Sequence, residues 1–146
     1  MEPRDVLKNI YLFRDADPED LAAVAAIAER KAYMVGEYVY HSGDVPDALL
    51  ITESGTIDVI LKDKDLTVAG VGAGQALGEM AFFERTGRLA SALAREPTHL
   101  IRLPFAKLDQ VLAERPNLAI TFYRHACVFF ARQLRALAPD LNRRYF

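Results

Sequence analysis

The stretch from Gly74 to Ala92, GQALGEMAFFERTGRLASA, sets a glutamate, Glu79, and an arginine, Arg88, on either side of a short turn of predicted helix. An ionised carboxylate only accepts hydrogen bonds, so it suits a sugar hydroxyl and repels a phosphate. A guanidinium can hold two phosphate oxygens at once. Together the pair has the chemistry of a phosphate and sugar clamp. Gly78 allows another group to come close to the backbone. Glu79 opens a helical turn through Met80, Ala81, Phe82 and Phe83, whose first N–H groups are free to face an anion. Thr86 and Gly87 then lead to Arg88, Leu89 and Ala90. The competing reading is a surface ion pair between the two charges, worth about 0 to 1 kcal/mol.

The elements that must hold this stretch follow from the hydrophobic pattern. Val6, Leu7, Ile10 and Phe13 recur at helical spacing. Asp17-Pro18-Glu19-Asp20 supplies an N-cap residue, a proline at the first helical position and first-turn acids for a second helix running to about Arg30. From Lys31 to Leu103 the pattern changes to short strands rich in Val, Ile, Tyr and Leu, punctuated by glycines. Ala48 to Thr52 reads as one strand. Thr56 to Lys62 alternates, with Ile57, Val59 and Leu61 on one face, and Lys62 to Asp65 is a polar hairpin tip before Leu66 to Val71. Ala90 to Arg95 and His99 to Leu103 read as the last strands. The architecture expected is α+β: a β-roll or jelly-roll barrel of about eight strands, with helices before and after it.

Pro104 opens a helix that ends before Pro116, and a last helix runs from about Asn117 to Ala138, stopped by Pro139. In that helix Ile120, Tyr123, Cys127, Phe130, Leu134 and Leu137 form a continuous apolar seam, beside a second stripe of Leu118, Phe122, Ala126 and Phe129. One stripe is expected to pack on the barrel and the other to need a partner; the competing reading is a helix buried on both sides within the chain. The division expected is a single domain, 1–146, made of helices over 1–30, a roll over 31–103 and helices over 104–138.

Composition narrows the functional classes. The 146 residues are 51% hydrophobic and 26% charged, the balance of a globular domain able to bury a core. Eighteen basic and twenty acidic side chains leave a net charge of −2, so no overall field draws the chain onto nucleic acid or an anionic membrane. A single cysteine, Cys127, excludes an intrachain disulfide and fits a reducing compartment. The first residues, MEPRDVLKN, lack the apolar core of a signal peptide, and no apolar run reaches membrane-spanning length. A cytoplasmic location is expected. His41, His99 and His125 are scattered, without the close pairing that a cupin-type metal site needs, and no P-loop, dinucleotide fingerprint, activated nucleophile or repeat is present. No catalytic residue or metal ligand is assigned, and no cofactor is expected.

Gly78-Glu79, the apolar run Met80 to Phe83, and Arg88 followed by Leu89, Ala90 and Ser91 resemble the phosphate-binding cassette of the cyclic-nucleotide-binding domain family, of the catabolite-activator-like and protein-kinase-A-regulatory-subunit-like kinds. Gly36, Gly43-Asp44 and Gly55 resemble the family's turn glycines, so the likeness covers nearly the whole chain. It departs at Leu77, Gly87 and Leu89. The resemblance implies a non-catalytic sensor in which Glu79 holds the ribose 2′-hydroxyl and Arg88 the cyclic phosphate. Gly78, Met80, Ala81, Leu89 and Ala90 complete the ligand-binding set. Guanine-selective relatives carry a threonine where this chain has Leu89, so cyclic AMP is expected to be preferred over cyclic GMP.

The resemblance also implies a homodimer through the final helix, with Tyr123, Cys127, Phe130, Leu134 and Leu137 at the interface. Three alternatives accompany this reading: a degenerate scaffold that acts through protein contacts, the sensor part of a transcription regulator, and the cupin-type enzyme. Direct DNA contact is not expected, because Asp140 to Phe146 is too short for a helix-turn-helix and Arg143-Arg144 is only a minor basic tail.

Overall fold

The computed structural model describes residues 2–137. The helical N-terminal segment is built from pieces. Helix α1 (Pro3–Leu7) gives way to a 3-10 turn at Tyr11–Phe13, and α2 (Pro18–Ala26) follows. The apolar spacing of Val6, Leu7, Ile10 and Phe13 still places all four in the core, at 7% exposure or less. Asp17 is the N-cap residue of α2 and Pro18 its first residue, as expected, but the Asp17 side chain makes no capping bond; its carbonyl accepts the Leu21 amide at 2.9 Å.

The second helix was expected to reach about Arg30, and it stops at Ala26. The residues after it are claimed by the sheet: strand β1 (Glu29–Tyr33) pairs antiparallel with β8 (Thr98–Pro104), from Glu29 opposite Arg102 to Tyr33 opposite Thr98. The roll therefore starts at Glu29, not Lys31. Its other strands are β2 (Tyr38–Tyr40), β3 (Ala48–Ser54), β4 (Thr56–Leu61), β5 (Leu66–Gly72), β6 (Ala76–Leu77) and β7 (Ser91–Ala94). They form two antiparallel four-stranded sheets, in the orders β1-β8-β3-β6 and β2-β7-β4-β5. This is the expected eight-stranded roll, and the polar tip Lys62–Lys64 closes the β4–β5 hairpin with Asp65 in the left-handed region.

Two apolar cores divide the sheet residues. Tyr33, Ala48, Leu50, Ile57, Leu77, Ala92, Ala94 and Leu100 fill the space between the sheets. Leu49, Ile51, Ile101 and Leu103 face the other way, onto the helices. Strand β3 is thus covered on both faces, which is why Ala48 to Thr52 is a continuous buried run without alternation. At the β3–β4 turn Gly55 has φ +93°, and a Cβ there would come within 2.6 Å of the Pro97 carbonyl oxygen. Only glycine fits a left-handed position with the chain packed that closely.

Helix α3 (Glu79–Glu84) lies between β6 and β7, while α4 (Phe105–Glu114) and α5 (Pro116–Leu137) follow the roll. Of the two stripes on α5, Leu118, Phe122 and Ala126 are buried in the core with Phe13, Phe82 and Phe105. The seam is turned outward at Ile120, Tyr123, Cys127, Leu134 and Leu137. Phe130 departs from that pattern, being half-buried and edge-on to Phe83 at 5.8 Å. Ala138, Pro139 and the Arg143-Arg144 tail lie outside the described residues. No described helix is long and apolar enough to cross a membrane.

Candidate functional site

Gly78 is the N-cap of α3 and sits in the left-handed region, at φ 80°. The side of its Cα where a Cβ would stand is occupied by Nη1 of Arg88, so any side chain here would displace the guanidinium. Gly78 and Arg88, at the two ends of the cassette, are therefore one packing unit. Arg88 is held from both ends. Its backbone N–H donates to the Asp44 carbonyl at 3.0 Å and its carbonyl accepts the Gly43 amide at 2.8 Å. Ser42 adds a bond from its amide to Ser91 Oγ at 2.9 Å. The Gly43-Asp44 turn is in this way the brace for the second half of the cassette.

The Arg88 side chain is 7% exposed. Its Nη2 donates to the Ala48 carbonyl at 3.1 Å, and its guanidinium lies 4.2 Å from the Tyr40 ring centroid. A desolvated cation over a tyrosine face is stabilised by about 2 kcal/mol. Burial lowers its pKa from the ordinary value, with Tyr40, Asp47 and Asp44 acting in the opposite direction, and an arginine stays charged throughout the accessible range. Nη1 is buried and has no hydrogen-bond partner. A buried cationic donor without an acceptor is a deficit that an anionic oxygen removes.

Glu79 is half-buried at the first position of α3, and no ion pair joins it to Arg88 among the described residues. The surface-pair reading of these two charges is therefore not what the fold builds. Burial raises the Glu79 pKa, while a backbone hydrogen bond and a bond from the Tyr11 hydroxyl to Oε2, at 2.9 Å, pull it back. Glu79 and Arg88 both line one cavity of about 230 Å³. All seven residues expected from the sequence lie on its wall: Gly78, Glu79, Met80, Ala81, Arg88, Leu89 and Ala90. Leu89 is 68% exposed and lines the same cavity. A second cavity, of about 580 Å³, runs between the roll and α5; it shares Val71, Ala76, Glu79 and Met80 with the first and reaches Phe129 and Phe130.

Two residues at the site were not singled out from the sequence. Tyr40 comes from β2 and Tyr11 from the N-terminal turn, each brought in by long-range pairing. The one local sign for Tyr11 is a phenol inside the apolar run Ile10 to Phe13, where a buried hydroxyl requires a partner. The three histidines stay apart: His41 stacks on Tyr38, His99 is on β8 and His125 faces Asp15 at 3.7 Å. Among the described residues no three His, Cys, Asp or Glu side chains are grouped to hold a metal ion.

A two-sheet antiparallel roll whose short inserted helix carries an acceptor, and whose following loop carries a buried cation, has the layout of a small-molecule-binding domain. The cyclic nucleotide-binding domain family matches residues 30–115, and the chain belongs to that family. It is 31% identical over 139 residues to the cyclic AMP receptor protein of Thermus thermophilus, covering 93% of this chain and 62% of that one. A solved cyclic nucleotide-binding domain from Methylobacillus flagellatus superposes with a TM-score of 0.80 at 26% identity, over 99% of this chain and 83% of the other. Glutaminase 2 of Bradyrhizobium diazoefficiens is 28% identical over 90% of this chain, which spans 22% of that relative's length.

Proposed function

We propose that this chain is a non-catalytic sensor that binds a cyclic nucleotide, cyclic AMP in preference to cyclic GMP, in the cavity between α3 and the roll. The observation that carries the reading is the buried Arg88, whose Nη1 lacks an acceptor, on the same cavity wall as a Glu79 that is not paired with it. The arginine takes the cyclic phosphate and the glutamate accepts from the ribose 2′-hydroxyl. Gly78, Met80, Ala81, Leu89 and Ala90 shape the rest of the wall. Leu89 offers no hydroxyl to a guanine, which favours adenine.

The path to an output runs through aromatic side chains. Phe82 and Phe83 on α3 pack against Phe122, and Phe83 also meets Tyr123 and Phe130 on α5. A shift of the cassette on binding is thereby felt by the last helix. The exposed apolar row Ile120, Tyr123, Leu134 and Leu137 supports a homodimer along that helix, with Cys127 in the same seam. The module is read as cytoplasmic, and as the sensor unit of a larger regulatory system whose target its partners set. A degenerate scaffold is less well supported, because a cavity of about 230 Å³ stands beside Glu79 and Arg88 with Leu89 on its wall.

Calorimetric titration with cyclic AMP and cyclic GMP, after removal of any co-purified ligand, tests this reading. Cyclic AMP should bind more tightly, and Arg88→Ala should weaken it at least about tenfold, the value of a charge-assisted hydrogen bond. Glu79→Gln should cost less, since an amide oxygen still accepts. Tighter cyclic GMP would reverse the preference, unchanged affinity in Arg88→Ala would remove its role, and heat-silent titrations with both ligands would favour the scaffold.

A further inference from the structure

Glu79 is not oriented by its own helix alone. Tyr11, 68 residues earlier in the chain, donates its hydroxyl to Oε2 at 2.9 Å. The tyrosine is anchored on three sides. It opens the 3-10 turn whose next residues, Leu12 and Phe13, are at most 1% exposed. Phe13 packs on Phe122, with ring centroids 5.5 Å apart. The Tyr11 ring itself stacks on Phe129 at 4.4 Å and an interplanar angle of 22°. The hydroxyl is thus fixed by the N-terminal segment and by α5, neither of which belongs to the cassette.

A carboxylate at the end of a flexible side chain has two equivalent oxygens and several acceptor directions, and a half-buried one can turn away from a cavity toward any nearby donor. A fixed phenol removes that freedom. With Oε2 engaged by Tyr11 and a backbone hydrogen bond also reaching the carboxylate, the remaining acceptor directions of Glu79 are held in one orientation for a ligand. Burial and the adjacent carboxylate both push the Tyr11 phenol up, so it stays a neutral donor at every pH of interest. Tyr11 and Glu79 both line the larger cavity, and Glu79 also lines the smaller one, so the bond stands where the two meet.

We propose that Tyr11 is a positioning and specificity residue: its hydroxyl holds the Glu79 carboxylate in the orientation that reads a ligand's 2′-hydroxyl, and so makes ribose recognition depend on the N-terminal turn and α5. This rests on the reading of Glu79 as the ribose acceptor. The test measures dissociation constants of cyclic AMP and its 2′-deoxy analogue for the wild-type chain and for Tyr11→Phe, which keeps the ring on Phe129. The wild type should favour the 2′-hydroxyl ligand by about tenfold. Tyr11→Phe should lose about fivefold toward cyclic AMP and no more than about twofold toward the deoxy analogue, since the lost bond acts only through the hydroxyl.

Equal losses toward both ligands would make Tyr11 a packing residue, and no loss toward either would remove any role for the bond; both overturn the proposal while leaving Glu79 as acceptor. A wild-type chain that does not distinguish the two ligands would overturn the role of Glu79, and the proposal with it. The cycle with Glu79→Ala separates a folding defect: adding Tyr11→Phe to Glu79→Ala should change cyclic AMP affinity no further, whereas a packing defect adds its full penalty.

Discussion

Glu79 and Arg88 are placed where burial works against their charged forms, and it moves each pKa toward the neutral form. Burial raises the Glu79 pKa above its ordinary 4.5, the effect of desolvation on a carboxylate. Well below 4.5 the group is neutral in both the folded and the unfolded chain and does not affect stability. As pH rises from there toward the higher folded value, the unfolded chain ionises first, so it binds fewer protons than the native state and stability falls. Above that window the loss is complete. Glu79→Gln should therefore melt at a higher temperature than the wild type at neutral pH, and the difference should shrink as the pH is lowered through the window. Thermal denaturation followed by circular dichroism at several pH values reads this directly. A variant that melts lower at neutral pH would mean that the Tyr11 and backbone bonds to the carboxylate outweigh its desolvation.

Among the elements, α3 and α5 are joined by an aromatic cluster in which Phe122 meets both α3 rings. It is fully buried and meets Phe13, Phe82, Phe83 and Tyr123. Truncating such a ring removes its transfer free energy and leaves a cavity that rigid neighbours cannot collapse into, a loss of about 3 to 5 kcal/mol. We expect Phe122→Ala to lower stability by that amount in chemical denaturation. Tyr123→Ala, one residue on and 43% exposed, should cost much less in a monomer. Similar losses for the two would mean that the outward face of α5 is as well packed as the inward one.

For the molecule as a whole, the outward seam sets the expected assembly. Tyr123, Leu134 and Leu137 are 43%, 47% and 83% exposed, a row of apolar surface that a second copy of the helix would cover. Phe130 belongs partly to the intrachain core, so a charge there would disturb folding as well as association. Leu134 is the cleaner probe. Burying a leucine contributes about 1.5 to 3 kcal/mol, so Leu134→Glu should convert a modest dimer to a folded monomer. Light scattering should then report half the wild-type mass with an unchanged circular dichroism spectrum. A wild-type chain that is monomeric at high micromolar concentration would sink the dimer.

The cassette was legible from its residues because its parts are close in sequence: Gly78 through Ala90 carries the glycine, acceptor, apolar turn and cation in order. The strands were legible from β-rich segments cut by glycines, and the last helix from its spacing. The end of α2 was misplaced because the apolar pattern through Ala28 continues the helical period, and only pairing with β8 takes Glu29 to Tyr33 into the sheet. The burial of Ala48 to Thr52 on both faces likewise needed the helices that cover the first sheet. Sequence determined which residues bring charge to the candidate site and which way the chain alternates, since both are set by local side-chain chemistry and backbone period. Tertiary structure decided that Arg88 rests on Tyr40 and that Glu79 answers to Tyr11, because those contacts join segments whose meeting depends on the closure of the whole roll.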